Sequence, residues 1–466
     1  MNARRVAVLA IASALAGCTG MLGPMPSDDP NDAGTMNEPM DAGVPVDAGA
    51  PVDAGTDAGS GGAGGGGAGG AGGGGGGGGG AVNPVDAGVG PDLQVVFPPN
   101  CATTDAQLKV RGVTRAGLSV SAVLVGGVAA TSSDGFRTWS AVVSLAPGSN
   151  ALSVDFVESS TPHAGAALVK IERFATEDQV LRGTGGWSGR ILGATYEAVA
   201  KRLIVSDDIE DGVWQIALDS GDRQILSDSE GTMIGTGYEI SQPRAVVANG
   251  NQSYIVDDNL LVGIDLVSGD RAVPLPVTFA DGGAASVSSI ALTDDGHVYG
   301  LSTALEQLVL IDPANSTFQV IGTQGSLHNC GSAAFDLAHH TAYVSFRYQD
   351  RLAQVDLLTG TVSEWSTAQS GEPSLSDPEE LVADFETGAI FVWDSARLVA
   401  VDPGTGRRRL VGSGPFGSLT AVKALAATPF GPAIVDYVPS WESAQTRDPT
   451  VVVFDPLEGT RVVLSR

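Results

Sequence analysis

The 466-residue sequence has few cysteines, few basic residues and one short apolar run, and each shortage excludes a class of protein. Three cysteines are too few for a scaffold stabilised by disulfides. The 25 Lys and Arg are outnumbered by 53 Asp and Glu, and the net charge of −28 argues against nucleic-acid binding and against a basic membrane-surface helix. The apolar run, residues 6–16, is too short to span a bilayer, and no other stretch approaches about 18 apolar residues.

Histidine is also scarce, and two common hydrolase motifs are missing. Neither His-Glu-x-x-His nor Gly-x-Ser-x-Gly occurs, so the sequence predicts neither a zincin nor a hydrolase with a serine nucleophile elbow. His339 and His340 fall in a short turn between predicted strands, where we expect them to be solvated. The Gly-Thr-Gly-Gly run that begins at Gly183 precedes a strand and not a helix, so we predict no phosphate site there.

The first eighteen residues have the layout of an export signal. Arg4 and Arg5 precede the apolar run, which ends in Leu-Ala-Gly-Cys at residues 15–18. This ending resembles the bacterial lipobox, which implies that Cys18 receives lipid, becomes the mature N-terminus and anchors the protein to a membrane. The next residue is Thr19, not the Asp that signals inner-membrane retention in many lipoproteins. We therefore expect an outer-membrane lipoprotein, on the periplasmic side or at the cell surface.

Residues 19–92 are predicted to be a disordered tether rich in Gly, Ala and Asp. Asp-Ala-Gly recurs six times, and residues 61–81 are almost purely Gly and Ala. The segment holds ten acids and no Lys or Arg, and it has no large apolar face to offset the entropy of ordering. A Gly-rich coil of this length spans roughly 45–50 Å. Isolated carboxylates on such a coil do not build a calcium site, so we predict a solvated spacer.

Residues 93–174 alternate apolar and polar residues in short runs separated by turns, which predicts a small β-sandwich. The runs are 93–97, 107–113, 118–128, 139–145, 151–156 and 166–171. Four stretches resemble a bacterial immunoglobulin-like module: 110–113, 125–128, 131–135, and 145–150 with its Pro-Gly-x-Asn turn. The resemblance implies an Ig-like β-sandwich that serves as a spacer, or less often binds carbohydrate or protein.

Residues 176–466 repeat a hydrophobic-Asp-x-x-x-Gly element at intervals of 44 to 53 residues. The Gly position is occupied, in order, by Gly221, Gly269, Ser316, Gly360, Gly406 and Gly459. Each copy lies among four short β runs, and six copies of four strands predict a six-bladed β-propeller. We expect the Gly to adopt a turn conformation and the preceding Asp to accept backbone N–H bonds in that turn.

Two of the copies carry a family resemblance. Residues 197–208 with 214–226, and residues 244–258 with 263–272, resemble NHL- or YVTN-type bacterial propeller repeats. The resemblance implies an all-β chain in which the sandwich is followed by the propeller. It implies no particular activity, because propellers host many functions. Either of two runs, 178–182 or 461–464, is predicted to complete the ring between the last and first blades.

The predicted binding face is formed by the loops that follow strand two and strand four of each blade. These loops are long, and they carry or border acidic and aromatic residues: Asp207, Asp208, Asp257, Asp258, Tyr348, Asp394, Tyr437 and Trp441. Such a face suits a cation, a polyol or a basic peptide, so the expected ligand is an unknown protein or carbohydrate. The favoured function is a non-catalytic binding or interaction scaffold.

The alternative function is a metal-dependent hydrolase. Regucalcin- and gluconolactonase-like propellers have six blades and hold a divalent ion with Glu, Asn and Asp in the channel. Their local Glu- and Asn-bearing motifs do not occur here, but four acids end strand two of their blades and are candidate Ca²⁺ ligands: Asp207, Asp257, Asp394 and Asp436. The opposing interpretation is that these acids cap turns. No other cofactor is predicted.

Cys101 and Cys330 remain once Cys18 is lipidated. An exported protein meets oxidising conditions, so a disulfide between them would join the sandwich to the propeller. Two free thiols are the favoured interpretation, because nothing in the spacing requires a bond.

Overall fold

The computed structural model describes residues 92–176, 179–180, 182–186, 190–229, 234–277, 286–323, 325–384, 387–412, 422–436 and 449–466. The chain divides into two compact units, Met1–Gly73 and Gly74–Arg466, and every described residue lies in the second. Within the described ranges no helix is long and apolar enough to cross a membrane. Apart from 3-10 conformation at Gln179 and at Leu337–His339, the regular elements there are β-strands, as the sequence predicts.

The first eight strands form two sheets. They are β1 Leu93–Phe97, β2 Cys101–Thr103, β3 Gln107–Thr114, β4 Val120–Val125, β5 Val128–Ala129, β6 Thr138–Ser144, β7 Gly148–Glu158 and β8 Thr161–Arg173. One sheet has the order β1-β3-β6, and the other contains β5-β4-β7-β8-β2. Leu108 and Trp139 of the first sheet pack with Val123 and Phe156 of the second in one buried cluster, so the two sheets form a sandwich.

The remaining described strands form six consecutive sets of four, here called blades one to six. Blades one to three are β9 Ile191–Glu197, β10 Arg202–Asp207, β11 Gly212–Ala217, β12 Arg223–Asp228; β13 Pro243–Asn249, β14 Gln252–Asp257, β15 Leu260–Asp265, β16 Leu275–Pro276; β17 Val287–Leu292, β18 Val298–Ser302, β19 Gln307–Asp312, β20 Thr317–Ile321. Blades four to six are β21 Cys330–Asp336, β22 Thr341–Phe346, β23 Arg351–Asp356, β24 Val362–Thr367; β25 Pro378–Ala383, β26 Ile390–Asp394, β27 Arg397–Val401, β28 Arg408–Gly412; β29 Val422–Thr428, β30 Gly431–Asp436, β31 Thr450–Phe454, β32 Arg461–Ser465.

The six blades close into a ring. The innermost strands β9, β13, β17, β21, β25 and β29 contact one another in that order, and β29 contacts β9 again. An apolar cluster fills each interface; Ile204 of blade one, for example, packs in one cluster with Ile255 of blade two. Because each blade buries its faces on its neighbours, no single repeat needs a core of its own. The chain is an all-β protein whose larger part is a six-bladed β-propeller.

The repeated Asp and Gly have the structural roles predicted for them. Asp265 Oδ1 accepts bonds from the backbone N–H groups of Ser268 (2.9 Å) and Val267 (2.8 Å), which hold the pKa of this carboxyl below its usual value. Gly269 has a φ of 79°, and a Cβ there would lie 2.2 Å from the carbonyl oxygen of Leu226 in the preceding blade. A side chain would therefore both strain the turn and push the two blades apart.

A serine–arginine contact accompanies this glycine. Ser227, at the end of blade one, donates to the carbonyl oxygen of Gly269 at 2.7 Å, and Arg271 donates to Ser227 Oγ at 2.8 Å. The same contact recurs between blades four and five. The hydrophobic pattern does not reveal it. The available signal is an arginine two residues after the repeat Gly, which occurs at 223, 271, 408 and 461.

Of the two runs predicted to complete the ring, Arg461–Ser465 is the fourth strand of blade six. The other run ends at Arg182, whose backbone N–H and C=O bond to Arg466 (3.3 and 3.0 Å); residues 178 and 181 of that run lie outside the described residues. The Arg182 guanidinium donates to three carbonyl oxygens, one each from blade six, the β1–β2 segment of the sandwich and blade one: Leu464, Asn100 and Asp219. Arg182 therefore ties together the seam, here meaning the interface between blades six and one.

The Gly-Thr-Gly at 183–185 has a counterpart at 235–237. Thr184 donates through its backbone N (2.7 Å) and Oγ1 (2.8 Å) to Asp222, and Thr236 makes the same two bonds to Asp270. Each segment lies against the last turn of the blade that it precedes. At the seam, residues 182–185 thus occupy the place that the connecting segment 234–237 occupies between blades one and two. This structural role accounts for the glycine run.

The sandwich and the propeller share a sheet and a core. β2 pairs with β8 on one side and with β32 on the other, so nine strands run from β29 of blade six to β5 of the sandwich. The apolar cluster of the seam is continuous with the sandwich core. Arg111 of β3 donates to Asp455 of blade six at 2.9 Å, and both residues are buried. The two parts therefore form one body.

Cys101 and Cys330 are both free and buried. Cys101 belongs to the seam cluster and Cys330 to the cluster between blades three and four, which agrees with the interpretation of two free thiols. Burial raises the pKa of the Cys101 thiol to about 12 and that of Cys330 to about 11, so neither is a reactive thiolate near neutral pH.

Arg111→Met is expected to destabilise the protein strongly, because it leaves the buried Asp455 carboxylate without its cation. Removing one member of a buried ion pair costs about 3–5 kcal/mol. Lys109→Met is the matched control: Lys109 pairs with Glu458 on the same junction, but this pair is partly exposed and contributes about 0–1 kcal/mol. Urea unfolding followed by circular dichroism measures both changes. Equal losses in the free energy of unfolding would contradict the role given to Arg111.

Candidate functional site

A channel runs through the centre of the propeller. Its wall is made by the six innermost strands, and it encloses a cavity of about 290 Å³. Small and aliphatic residues such as Ala194, Ala291 and Ala426 make up most of the lining. Among the described lining residues the one carboxylate is Glu380 of β25.

The channel opens into a mouth, a cavity of about 460 Å³. Its wall is formed where innermost strands begin and by turns between strands two and three, so these two sets of loops share a face, as the propeller pattern predicts. Most of the described lining is charged, hydroxylated or aromatic: Arg244, Arg347, Asp377, Glu379, Glu380 and Tyr348, with three Ser or Thr residues. This polarity distinguishes the mouth from the channel.

Glu380 lines both the channel and the mouth and so marks their junction. Its Oε2 accepts a bond from Ser332 Oγ of blade four (3.2 Å), and Ser332 Oγ lies 3.3 Å from Ser289 Oγ of blade three. The backbone N–H of Ala333 donates to Ser289 Oγ (3.1 Å). A chain of polar groups thus crosses three neighbouring blades at the base of the mouth and orients the carboxylate.

The hydrogen-bonded chain has one sequence signal: a polar residue at a strand-one position where other blades have a small residue. This position pairs with the last residue but one of strand two. It is Ser289 in blade three and Glu380 in blade five, but Gly193 in blade one and Ala424 in blade six. The strand register must be known before these residues can be aligned. The pattern of hydrophobic runs alone therefore does not single out Glu380.

The mouth carries both signs of charge. Arg347 is exposed, and its side chain passes close to Gly331. A Cβ built on Gly331 would lie 3.3 Å from the Arg347 Cγ and 3.2 Å from the Pro378 carbonyl oxygen. The Arg347 stem is therefore close to the start of β25. Arg244 lies 3.8 Å from Asp258, and because both are partly exposed this pair is weak. The sequence predicts an acidic face, and the structure adds two arginines to it.

Tyr348 is the one residue of the predicted face that lines the described mouth. Its side chain is 81% exposed, and its backbone φ of 59° is uncommon for a bulky residue. Asp258 contacts Arg244, which lines the mouth, and Asp208 forms an ion pair with Arg190. Tyr437 and Trp441 lie outside the described residues.

The other three residues of the predicted face, Asp207, Asp257 and Asp394, are fully buried. Each accepts backbone N–H bonds from the loop that enters strand one of its own blade: from Arg190 to Asp207 (3.1 Å), from Gln242 to Asp257 (2.5 Å) and from Asp377 to Asp394 (2.6 Å). Asp394 also pairs with Arg397. These contacts favour the interpretation of turn caps, because the carboxylates are directed to their own loops and not to a shared ion.

The described residues contain no group of three or more His, Cys, Asp or Glu side chains placed to hold a metal ion. The side chain of Asp436, the fourth candidate calcium ligand, lies outside that description. His339 ends the 3-10 turn between β21 and β22, with its Nδ1 2.7 Å from Asp336 Oδ2 and its side chain largely exposed. This placement agrees with the solvated turn expected there.

No protein-family model and no curated protein matches this sequence. Solved structures match by shape at low identity. Virginiamycin B lyase from Staphylococcus aureus covers 61% of this chain with 86% of its own, at a TM-score of 0.40 and 10% identity. A gluconolactonase from Xanthomonas campestris matches 55% of this chain and 83% of its own, with a TM-score of 0.40 and 12% identity. A protein of unknown function from Bacteroides thetaiotaomicron matches 75% of this chain and 96% of its own, with a TM-score of 0.41 and 12% identity. Likenesses this weak carry no argument about function, and the propeller assignment rests on the chain's own sheets.

Calcium is expected to leave the thermal unfolding midpoint unchanged, because the candidate carboxylates that the structure describes are engaged with backbone N–H groups. An ion bound to the folded state at 100 times its Kd would contribute about 2.7 kcal/mol and raise the midpoint by several degrees. Scanning calorimetry of EDTA-treated protein, with CaCl₂ or with MgCl₂ as the control salt, measures the shift. A rise specific to calcium would contradict the turn-cap interpretation and support the metal-dependent alternative.

Proposed function

We propose that this protein is a non-catalytic binding scaffold whose ligand site is the mouth of the propeller channel. The observation that carries the proposal is the mouth itself, a concave cavity in which guanidinium, carboxylate, hydroxyl and tyrosine groups meet at the end of the central channel. Concave sites with a few converging polar groups are typical of small-ligand binding. The bond from Ser332 holds the Glu380 carboxylate in place before a ligand arrives, which lowers the cost of binding.

The contacts around the mouth favour binding over metal-dependent hydrolysis. Glu380 is oriented by the hydroxyl group of Ser332, an arrangement that suits hydrogen-bond recognition. Hydrolysis of the gluconolactonase type would need several oxygens directed at one ion. Asp207, Asp257 and Asp394 instead accept bonds from their own loops.

We further propose that the scaffold is exported and anchored. Lipid on Cys18 would hold the chain at the outer membrane, and residues 19–92 would space the folded part from it by roughly 45–50 Å. The Ig-like resemblance assigns a spacer role to the sandwich. Its shared sheet with blade six supports a further role, in which it also braces the seam of the propeller.

Cys18→Ser is expected to abolish lipid attachment and to release the protein from membranes, because the thiol is the proposed site of acylation. Cells expressing either form are labelled with an alkyne fatty acid and fractionated. Cys330→Ser, which removes a buried thiol, is the control and should keep both the label and the membrane association. Label retained by the Cys18→Ser protein would overturn the anchor.

Immobilised protein is expected to retain a component of envelope or extracellular material, and Arg347→Ala and Tyr348→Ala should each reduce that retention at least about fivefold, because both side chains line the mouth. Lys201→Ala is the matched control. Lys201 is exposed, has a φ of 52° like Tyr348, and lies in the turn between strands one and two, at the opposite end of blade one from the mouth. Mass spectrometry and glycan staining of the eluates quantify retention. Equal retention by mouth variants and control would contradict the proposed site.

A further inference from the structure

We propose that the ligand of the mouth is a neutral saccharide of one or two rings, an inference that rests on the binding function proposed for this cavity. Four properties of the described mouth point to this class of ligand. They are its opposed charges, its oriented hydrogen-bonding groups, its exposed tyrosine and its size.

The charges of the mouth oppose one another. Two arginines, Arg244 and Arg347, share one cavity with three acids, Asp377, Glu379 and Glu380. The formal charges of these five side chains therefore sum to −1. A cavity with one sign of charge attracts an ion, whereas a cavity with both signs gives an ion little net attraction. It suits a ligand whose groups both donate and accept hydrogen bonds, as sugar hydroxyls do.

The charged groups can bind hydroxyl groups with defined geometry. A guanidinium presents several N–H donors in one plane and a carboxylate presents two acceptor oxygens, so each can hold two neighbouring hydroxyls of a ring. Glu380 is oriented at the base by Ser332 (3.2 Å), and the stem of Arg347 lies beside the start of β25, the strand that carries Glu380. An oriented acceptor and a donor from the adjacent blade therefore border the same cavity.

Tyr348 supplies a flat apolar surface to the mouth. A tyrosine that is 81% exposed beside a cavity leaves its ring available to a ligand. The C–H face of a sugar ring packs on an aromatic face while the hydroxyls remain available to the polar wall. A sugar ring thus has an apolar face for Tyr348 and a polar edge for the charged groups of the mouth.

The volume and the channel set the size of the ligand. A cavity of about 460 Å³ lies in the range typical of small-ligand sites. The channel beyond Glu380 encloses a smaller cavity of about 290 Å³ and is lined mostly by small and aliphatic residues, so it offers hydroxyl groups few side-chain partners. A saccharide would therefore stop at Glu380 and occupy the mouth alone.

Isothermal titration of the mature protein with a fixed set of probes tests the inference. The neutral probes are glucose, galactose, mannose, N-acetylglucosamine, cellobiose, maltose, lactose and chitobiose; the charged probes are glucuronate, lysine and glutamate; trialanine represents peptides. At least one neutral probe is expected to bind saturably. Its affinity should be nearly the same at about 50 and about 500 mM salt, because no ion pair forms between ligand and protein.

Tyr348→Ala and Glu380→Gln are each expected to weaken that binding about tenfold or more, while Lys201→Ala leaves it unchanged. Unaltered thermal midpoints show that the variants are folded. Binding of a charged probe or of trialanine without a neutral saccharide overturns the ligand class, and so does the absence of binding by every probe. Saccharide binding that survives both mouth substitutions overturns the site.

The retention experiment separates failure of this inference from failure of the proposed function. If envelope material is retained in a mouth-dependent way but no neutral saccharide binds, the scaffold function stands and the saccharide inference is wrong. If neither retention nor saccharide binding depends on the mouth, both proposals are wrong.

Discussion

The propeller depends on the close approach of the last turn of a blade to the outer strand of the blade before it, which glycine permits in five of the six blades. At Gly269 and Gly459 a Cβ would lie 2.2 and 1.8 Å from a backbone carbonyl oxygen of the preceding blade, so glycine is what permits the contact. Ser227 then bonds across the interface to the glycine carbonyl. The same bond links Ser366 to Gly406 and Ser465 to Gly221, so it fixes the spacing of neighbouring blades at three of the six interfaces.

The seam shows what happens where two neighbouring blades are not consecutive in the chain. Ser465 still donates to the carbonyl oxygen of Gly221 (2.6 Å), but the connecting loop is replaced by residues 182–185. β2 covers the outer edge of blade six, and the Arg111–Asp455 pair fixes the sandwich to it. The sandwich is therefore built into this seam, where β29 and β9 meet, and both of these strands line the channel.

Sequence reasoning placed the turns after strand two and the entries to strand one on a common face, but it did not single out the polar groups that line the mouth there. Tyr348 could be found because it follows a predicted strand in a predicted loop. A strand-end acid such as Asp207 gives the same sequence signal whether it caps a turn or binds a ligand. The difference lies in the backbone N–H groups around it, one of which comes from Arg190, seventeen positions away. Glu380 and Arg347 come from different blades, so only the packing of those blades places them at one cavity.

The sequence alone determined the all-β class, the number of blades and the roles of the repeated Asp and Gly. These follow from local periodicity and turn chemistry, which each repeat expresses independently of its neighbours. The tertiary structure decided which segment completes the seam, where the sandwich is attached and which polar side chains share the mouth. Such features depend on contacts between distant residues, as between Arg111 and Asp455, 344 positions apart, and no local pattern encodes which surfaces will meet.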